Sequence, residues 1–237
     1  MKLFLLENGI YKPTLTPFPG YLIQRDNINI LIDTGITPED AKLINIENND
    51  SSMEVGPYHL PESCLGKLGI RPEMIDIVIN THFHFDHCGY NKLFCKAKFY
   101  VQKDHYYFAK SSNDKAFGKT ERYWDHISYE LIDGDKEIIP GIHCVRTDGH
   151  VIGMQSIVIE LKKTGNVLIA SDAMRDSRML YHENPCHFSM FDSDDEKVNE
   201  GVRKLERVIK EKSINLVIFN HDGLAWPTYR KSPDFYE

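Results

Sequence analysis

Apolar residues in this chain fall in nine short runs of four to six positions, at 2–6, 21–24, 28–33, 75–80, 98–102, 142–146, 156–161, 166–171 and 214–219. Their length, branched side chains and turn-forming flanks predict strands rather than helices. Thr164, Gly165 and Asn166 stand between two of these runs and predict a hairpin. Helical patterns interleave with the strands. In 194–212, Val198, Val202, Leu205 and Ile209 make one apolar stripe among charges, and Ser193 with Glu196 reads as a capping box. Shorter helices are predicted over 60–68 and 103–110. Strands early and late with helices between them predict an α/β fold, two packed sheets covered by helices. Segments 46–59 and 111–129 are polar, with Gly, aromatics and, in the first, Pro; they read as loops, serving either as lids or as plain surface.

Composition narrows the function classes. A net charge of −7 over 237 residues argues against a nucleic-acid partner, which needs a basic face. No apolar run approaches the roughly 18 residues of a membrane span. The opening Met1–Leu6 resembles a signal peptide only until Glu7 and Asn8. Five cysteines, odd in number and without CxxC spacing, read as reduced thiols in a cytoplasmic protein.

The chemistry concentrates in His82-Phe83-His84-Phe85-Asp86-His87, directly after the apolar run 75–80. In an extended or turning segment, residues two apart point the same way, so His82 and His84 converge on one cation. Asp86 and His87 lie a turn further on and address a second. Imidazole suits zinc and similar divalent ions, and a carboxylate tolerates bridging. Three more donors stand where apolar runs stop: His150, Asp172 and His221. The expected assignment places one ion on His82, His84 and His150 and the other on Asp86, His87 and His221. Asp172 bridges them, and two ions together lower the pKa of a shared water towards neutrality. Zinc is the default; iron, manganese or cobalt also suit these donors. Asp33 is expected to support a ligating histidine, in competition with a simple turn role. His59, His105, His126, His143, His182 and His187 lack ligand spacing and read as surface or packing, and Cys88 reads as packing.

With these residues in place, the sequence resembles the metallo-β-lactamase superfamily, whose H-x-H-x-D-H hallmark is followed by distant His, Asp and His ligands. Residues 30–36 resemble its early strand ending in Asp-Thr-Gly. The resemblance implies a single domain over 1–237, an αββα sandwich of two mixed sheets, with the site at one sheet edge. Within the superfamily the likeness is to N-acyl homoserine lactonases, carried by 17–24, 68–91, 99–105, 131–150 and 153–161. It implies a small-molecule lactone or ester substrate, hydroxide attack on the carbonyl, and catalytic roles for Asp86 and Asp172. Two positions depart from that pattern. Arg175 stands where such enzymes carry a tyrosine, so it is expected to replace that hydroxyl or to select a carboxylate-bearing substrate; the competing reading pairs it with Asp176. Thr147-Asp148-Gly149-His150 replaces Thr-Pro-Gly-His. Thioester hydrolysis and a non-catalytic metal-binding module are the alternatives. Only 16 residues follow His221, which speaks against the extra helical domain of glyoxalase II-like thioesterases. A homodimer is left open.

Overall fold

Alternation inside each apolar run decides which way its side chains face, and here both faces are buried. The computed structural model describes residues 1–111, 115–180 and 192–237. Leu3, Leu5, Ile30, Ile32, Ile77 and Ile79 turn inward against Ile157, Ile159, Val167 and Ile169. Their neighbours Phe4, Leu6, Leu31 and Val78 turn the other way, onto Cys64 and Leu65. A strand covered on both sides reads as continuously apolar, which explains the runs. Each fully buried Leu or Ile stabilises the fold by about 1.5–3 kcal/mol.

Among the described residues, twelve strands form two mixed sheets. The first holds β1 (Lys2–Tyr11), β2 (Thr16–Arg25), β3 (Ile28–Ile32), β4 (Met53–Glu54), β5 (Ile77–Ile79), β6 (Lys98–Gln102) and β7 (Tyr129–Ile132) in the order β4-β1-β2-β3-β5-β6-β7. The pairs from β3 through β5 and β6 to β7 are parallel, and the others are antiparallel. The second holds β8 (Lys136–Ile139), β9 (Ile142–Arg146), β10 (Gln155–Leu161), β11 (Gly165–Ile169) and β12 (Ile214–Ile218) in the order β12-β11-β10-β9-β8. The expected hairpin joins β10 to β11, with Leu161 opposite Gly165. Helices α1 (Pro38–Glu47), α2 (Pro61–Gly66), α3 (Phe85–Cys88), α4 (Lys103–Ser111), α5 (Lys115–Trp124) and α6 (Asp195–Glu211) surround the sheets. Leu65 of α2 packs on the outer face of the first sheet. Val198, Val202 and Leu205 of α6 pack with Val145, Val158 and Leu168 of the second. The result is the αββα sandwich.

Several local expectations are corrected. The cap of α6 is Asp194, whose side chain accepts from Lys197 N, while Ser193 Oγ donates to Gly149 O instead. Segment 46–59 holds the end of α1, the short β4 and a 3-10 turn at Pro57–His59. Segment 111–129 holds α5, which buries Phe117, Thr120 and Trp124 along one stripe. Helix α1 shows little periodicity because Leu43 and Ile46 face solvent, 44% and 64% exposed, while Ala41 and Ile44 pack inward. His59 and His105 are buried, and His143 Nε2 pairs with Glu160 Oε1 at 2.8 Å. His126 is exposed. His182 and His187, with Cys186, lie outside the described residues. Cys64, Cys88, Cys95 and Cys144 are free thiols. Among the described residues no helix is long and apolar enough to cross a membrane.

Candidate metal centre

Five strand ends meet at one edge of the sandwich. Past β5 the chain stays extended, so His82 and His84 share a side while Phe83 turns into the core and stacks on Trp124 (ring centroids 4.8 Å apart, planes 4° apart). Phe83 N donates to His105 Nε2 (2.9 Å), and His105 is tied through Nδ1 to Ile152 O (2.8 Å). That buried histidine, held down to about 4 chiefly by burial, is neutral and able to accept. Helix α3 then turns Asp86 and His87 back over the same edge.

The other donors arrive from loops. Gly149 adopts φ +128, and a Cβ there would sit 2.3 Å from Val198 N, so only glycine lets the segment bearing His150 lie against the start of α6. Ser171 sits in the left-handed region (φ +51) immediately before Asp172, as does Asp33 (φ +54) just after β3. Such backbone costs on the order of 1 kcal/mol for a non-glycine residue and concentrates at working sites. His221 follows β12, with its N–H donating to the carbonyl of Arg175 (2.8 Å).

All seven expected ligands come together. Donor atoms of His82, His84 and His150 lie within 4.8 Å of one another, as do those of Asp86, His87 and His221. His84 Nδ1 is 3.1 Å from His82 Nε2 and 3.0 Å from His150 Nε2. Asp172 stands between the groups: Oδ2 is 3.3 Å from His150 Nε2, and Oδ1 is 3.5 Å from His87 Nε2 and 3.3 Å from His221 Nε2.

The outer ring nitrogens are anchored, which orients the inner ones. His87 Nδ1 is 2.8 Å from Asp33 Oδ2, His150 Nδ1 is 2.8 Å from Asp192 Oδ1, and His221 Nδ1 is 2.8 Å from Pro17 O. Each acceptor fixes the tautomer whose Nε2 lone pair faces the site. Asp33 is itself held by Thr81 N (2.8 Å) and Thr81 Oγ1 (2.7 Å). Asp192 and the role of Asn220 beside Asp172 were not legible in the sequence: one lies 42 positions from its histidine, and neither falls in a motif.

Electrostatics fit a cation pair. Burial and neighbouring imidazoles hold His82 and His84 well below the usual histidine range, so both are neutral donors. Burial opposes the ionised form of Asp172, but His221, His87 and His150 outweigh it and hold the carboxyl well below its ordinary range. Burial likewise opposes charge on His87, yet Asp86, Asp33 and Asp172 raise it well above the histidine range. Among the described residues, the buried His87 Nε2 has no hydrogen-bond partner. Three carboxylates and an orphaned ring nitrogen call for positive charge at that spot, which divalent ions supply. The donor set therefore fits two such ions. Arg175, half-buried, lies on the loop leaving Asp172, and both oxygens of Asp176 are engaged by Arg178 (2.9 and 2.7 Å).

A sandwich of this topology with such an edge defines a metal-dependent hydrolase class. The chain belongs to the metallo-beta-lactamase superfamily, whose family model matches residues 20–203. An N-acyl homoserine lactonase from a Bacillus species is 33% identical over 234 residues, covering 92% of this chain and 89% of that protein. One from Agrobacterium fabrum is 27% identical, covering 99% and 94%. Among solved structures, an N-acyl homoserine lactone hydrolase with N-hexanoyl-L-homoserine at its catalytic metal center superposes with a TM-score of 0.86 at 26% identity, covering 99% of this chain and 98% of that one.

Proposed function

We propose that this protein is a dinuclear metal-dependent hydrolase that opens the ring of an N-acyl homoserine lactone or a close relative. The observation that carries this reading is the meeting of six donors in two groups about a seventh, Asp172. His82, His84 and His150 would hold one ion, Asp86, His87 and His221 the other, and Asp172 both. Zinc is the ion this donor set favours. When bound, the ions supply Lewis acidity and a nucleophilic water at neutral pH.

The remaining work falls to the chain. Asp33, Asp192 and the Pro17 carbonyl hold three imidazoles in the ligating tautomer. Phe117 stacks on His84 (5.4 Å, 24°) and Phe18 meets His221 edge-on (5.6 Å), walling the rings from water. Phe85, between two ligands, packs with Phe18, Ile36 and Met53, an apolar bed suited to an acyl chain. Water adds to the lactone carbonyl, the ring C–O bond breaks, and the leaving oxygen takes a proton. Asp86 and Asp172 are the buried carboxylates placed to relay that proton. Arg175 hydrogen-bonds the substrate's carbonyl or carboxylate oxygen. The biological role that follows is quenching of acylated lactone signals, in the cytoplasm, by one domain spanning 1–237.

The test is turnover by purified protein on a panel of acyl homoserine lactones, thioesters and phosphodiesters. Lactones are expected to lead. Preference for thioesters would move the chain to another branch of the superfamily, and no turnover at all would leave a binding module.

Arg175→Met separates two substrate classes. A charge-assisted hydrogen bond contributes about 1.5–3 kcal/mol, so kcat/KM for a carboxylate-bearing lactone is expected to fall about 10–100-fold. Neutral lactones are expected to lose less than about fivefold, since they offer the guanidinium a single neutral acceptor and no opposite charge. Equal losses on both classes would make Arg175 structural.

A further inference from the structure

Behind Asp172 the two sheets exchange a buried polar contact that no ligand motif requires. Tyr21 lies on β2 of the first sheet, and Asn220 follows β12 of the second; they are 0% and 1% exposed. The Tyr21 hydroxyl donates to Asn220 Oδ1 at 2.9 Å. Asn220 Nδ2 donates to Asp172 Oδ1 at 2.9 Å and lies 3.1 Å from His221 Nε2. The relay therefore runs from one sheet, through the other, to the carboxylate between the two donor groups.

Direction is what makes the relay informative. A primary amide has a donor end and an acceptor end. The Asp172 carboxylate only accepts, so the NH2 end faces it, and the amide oxygen is left to accept from the Tyr21 hydroxyl. Burial holds the phenol well above its ordinary range, so the hydroxyl keeps the proton it donates. With that hydroxyl gone, the buried amide oxygen loses this hydrogen bond and the side chain loses its anchor on the first sheet.

Only one carboxylate oxygen receives this hydrogen bond. Oδ1 faces His87 and His221, whereas Oδ2 faces His150. We propose that Tyr21 and Asn220 are positioning residues that set the rotamer of Asp172 and aim its Oδ1 at the cation held by Asp86, His87 and His221. They touch neither substrate nor cation; they act through the carboxylate. Partners of this kind typically change metal affinity by about 10–100-fold. Because the bond falls on Oδ1, the two ions feel its loss unequally.

The inference rests on the dinuclear reading above, and its test distinguishes the two. Zinc dissociation constants are measured for wild type, Asn220→Ala and Tyr21→Phe by competition with a chromophoric chelator, with circular dichroism to check folding. Repeating the titration in a His84→Ala background identifies the ion of the Asp86 group. Asn220→Ala is expected to weaken that ion by about 10–100-fold and the other by less than about threefold. Tyr21→Phe, nearly isosteric, is expected to weaken the same ion by about 3–10-fold while folding normally. If Asn220→Ala does not fold, Tyr21→Phe alone decides. Wild-type affinities in the folded variants, or equal losses at both ions, overturn the inference. A wild type that binds fewer than two ions overturns the dinuclear reading itself.

Discussion

Asp172→Ala is expected to lower kcat/KM for lactone hydrolysis by at least about a thousandfold, on the order of 4 kcal/mol of transition-state stabilisation. The carboxylate is 6% exposed and stands within 3.3–3.5 Å of ring nitrogens of His150, His87 and His221. Removing it deletes the carboxylate that reaches nitrogens of both donor sets and leaves three imidazoles without their common counter-charge. The bound metal should fall below two ions per chain, read by elemental analysis of the purified variant. His84→Ala should lose activity to a similar extent for a different reason. It strips the Nδ1 donor that lies 3.1 and 3.0 Å from its two partner nitrogens. Full turnover with both ions retained in either variant would remove these residues from the site.

The second large effect is expected at Asp33. Three donors converge on this buried carboxylate: Thr81 N, Thr81 Oγ1 and His87 Nδ1, at 2.8, 2.7 and 2.8 Å. Asn at this position offers one acceptor oxygen and an NH2, so in either orientation a donor is set against a donor. The lost charge-assisted bond costs about 1.5–3 kcal/mol of stability. It also frees the His87 ring to take the wrong tautomer, which should weaken metal affinity by about 10–100-fold. Asp33→Asn therefore tests a role through His87 against a role in the turn alone, which the left-handed φ of +54 also accommodates. A chemical-denaturation curve and a zinc titration read the two effects separately. Lost stability with unchanged affinity would assign Asp33 to the turn.

Much of this architecture is written locally. Runs such as 28–33 and 75–80 announce strands because both faces are buried, and His82, His150, Asp172 and His221 stand within four residues of a strand's end, where a chain leaves the sheet. The compact hexad 82–87 carries four of the seven donors, so its meaning survives without long-range information. What escaped was of two kinds. Helix α1 leaves Leu43 and Ile46 in solvent beside its packed Ala41 and Ile44, and α5 fills its buried stripe partly with the polar Thr120, so neither reads as a simple apolar stripe. Apart from Asp33 beside His87, the contacts that orient the site leave no local trace. Tyr21 meets Asn220 across 199 positions, and His150 meets Asp192 across 42. His105 looked like an ordinary surface or packing residue until the fold placed its Nε2 under the Phe83 amide, between two ligands.

If two ions held at this edge carry out lactone hydrolysis, titrating metal-free protein with zinc must restore it. Ring opening of an N-acyl homoserine lactone is followed by the acid it releases, while bound zinc is counted in the same samples. Activity is predicted to be absent at zero equivalents, to rise to its maximum as the second ion binds, and to vanish again with chelator. Undiminished hydrolysis by the metal-free chain, or none by a chain carrying two ions, would contradict the account.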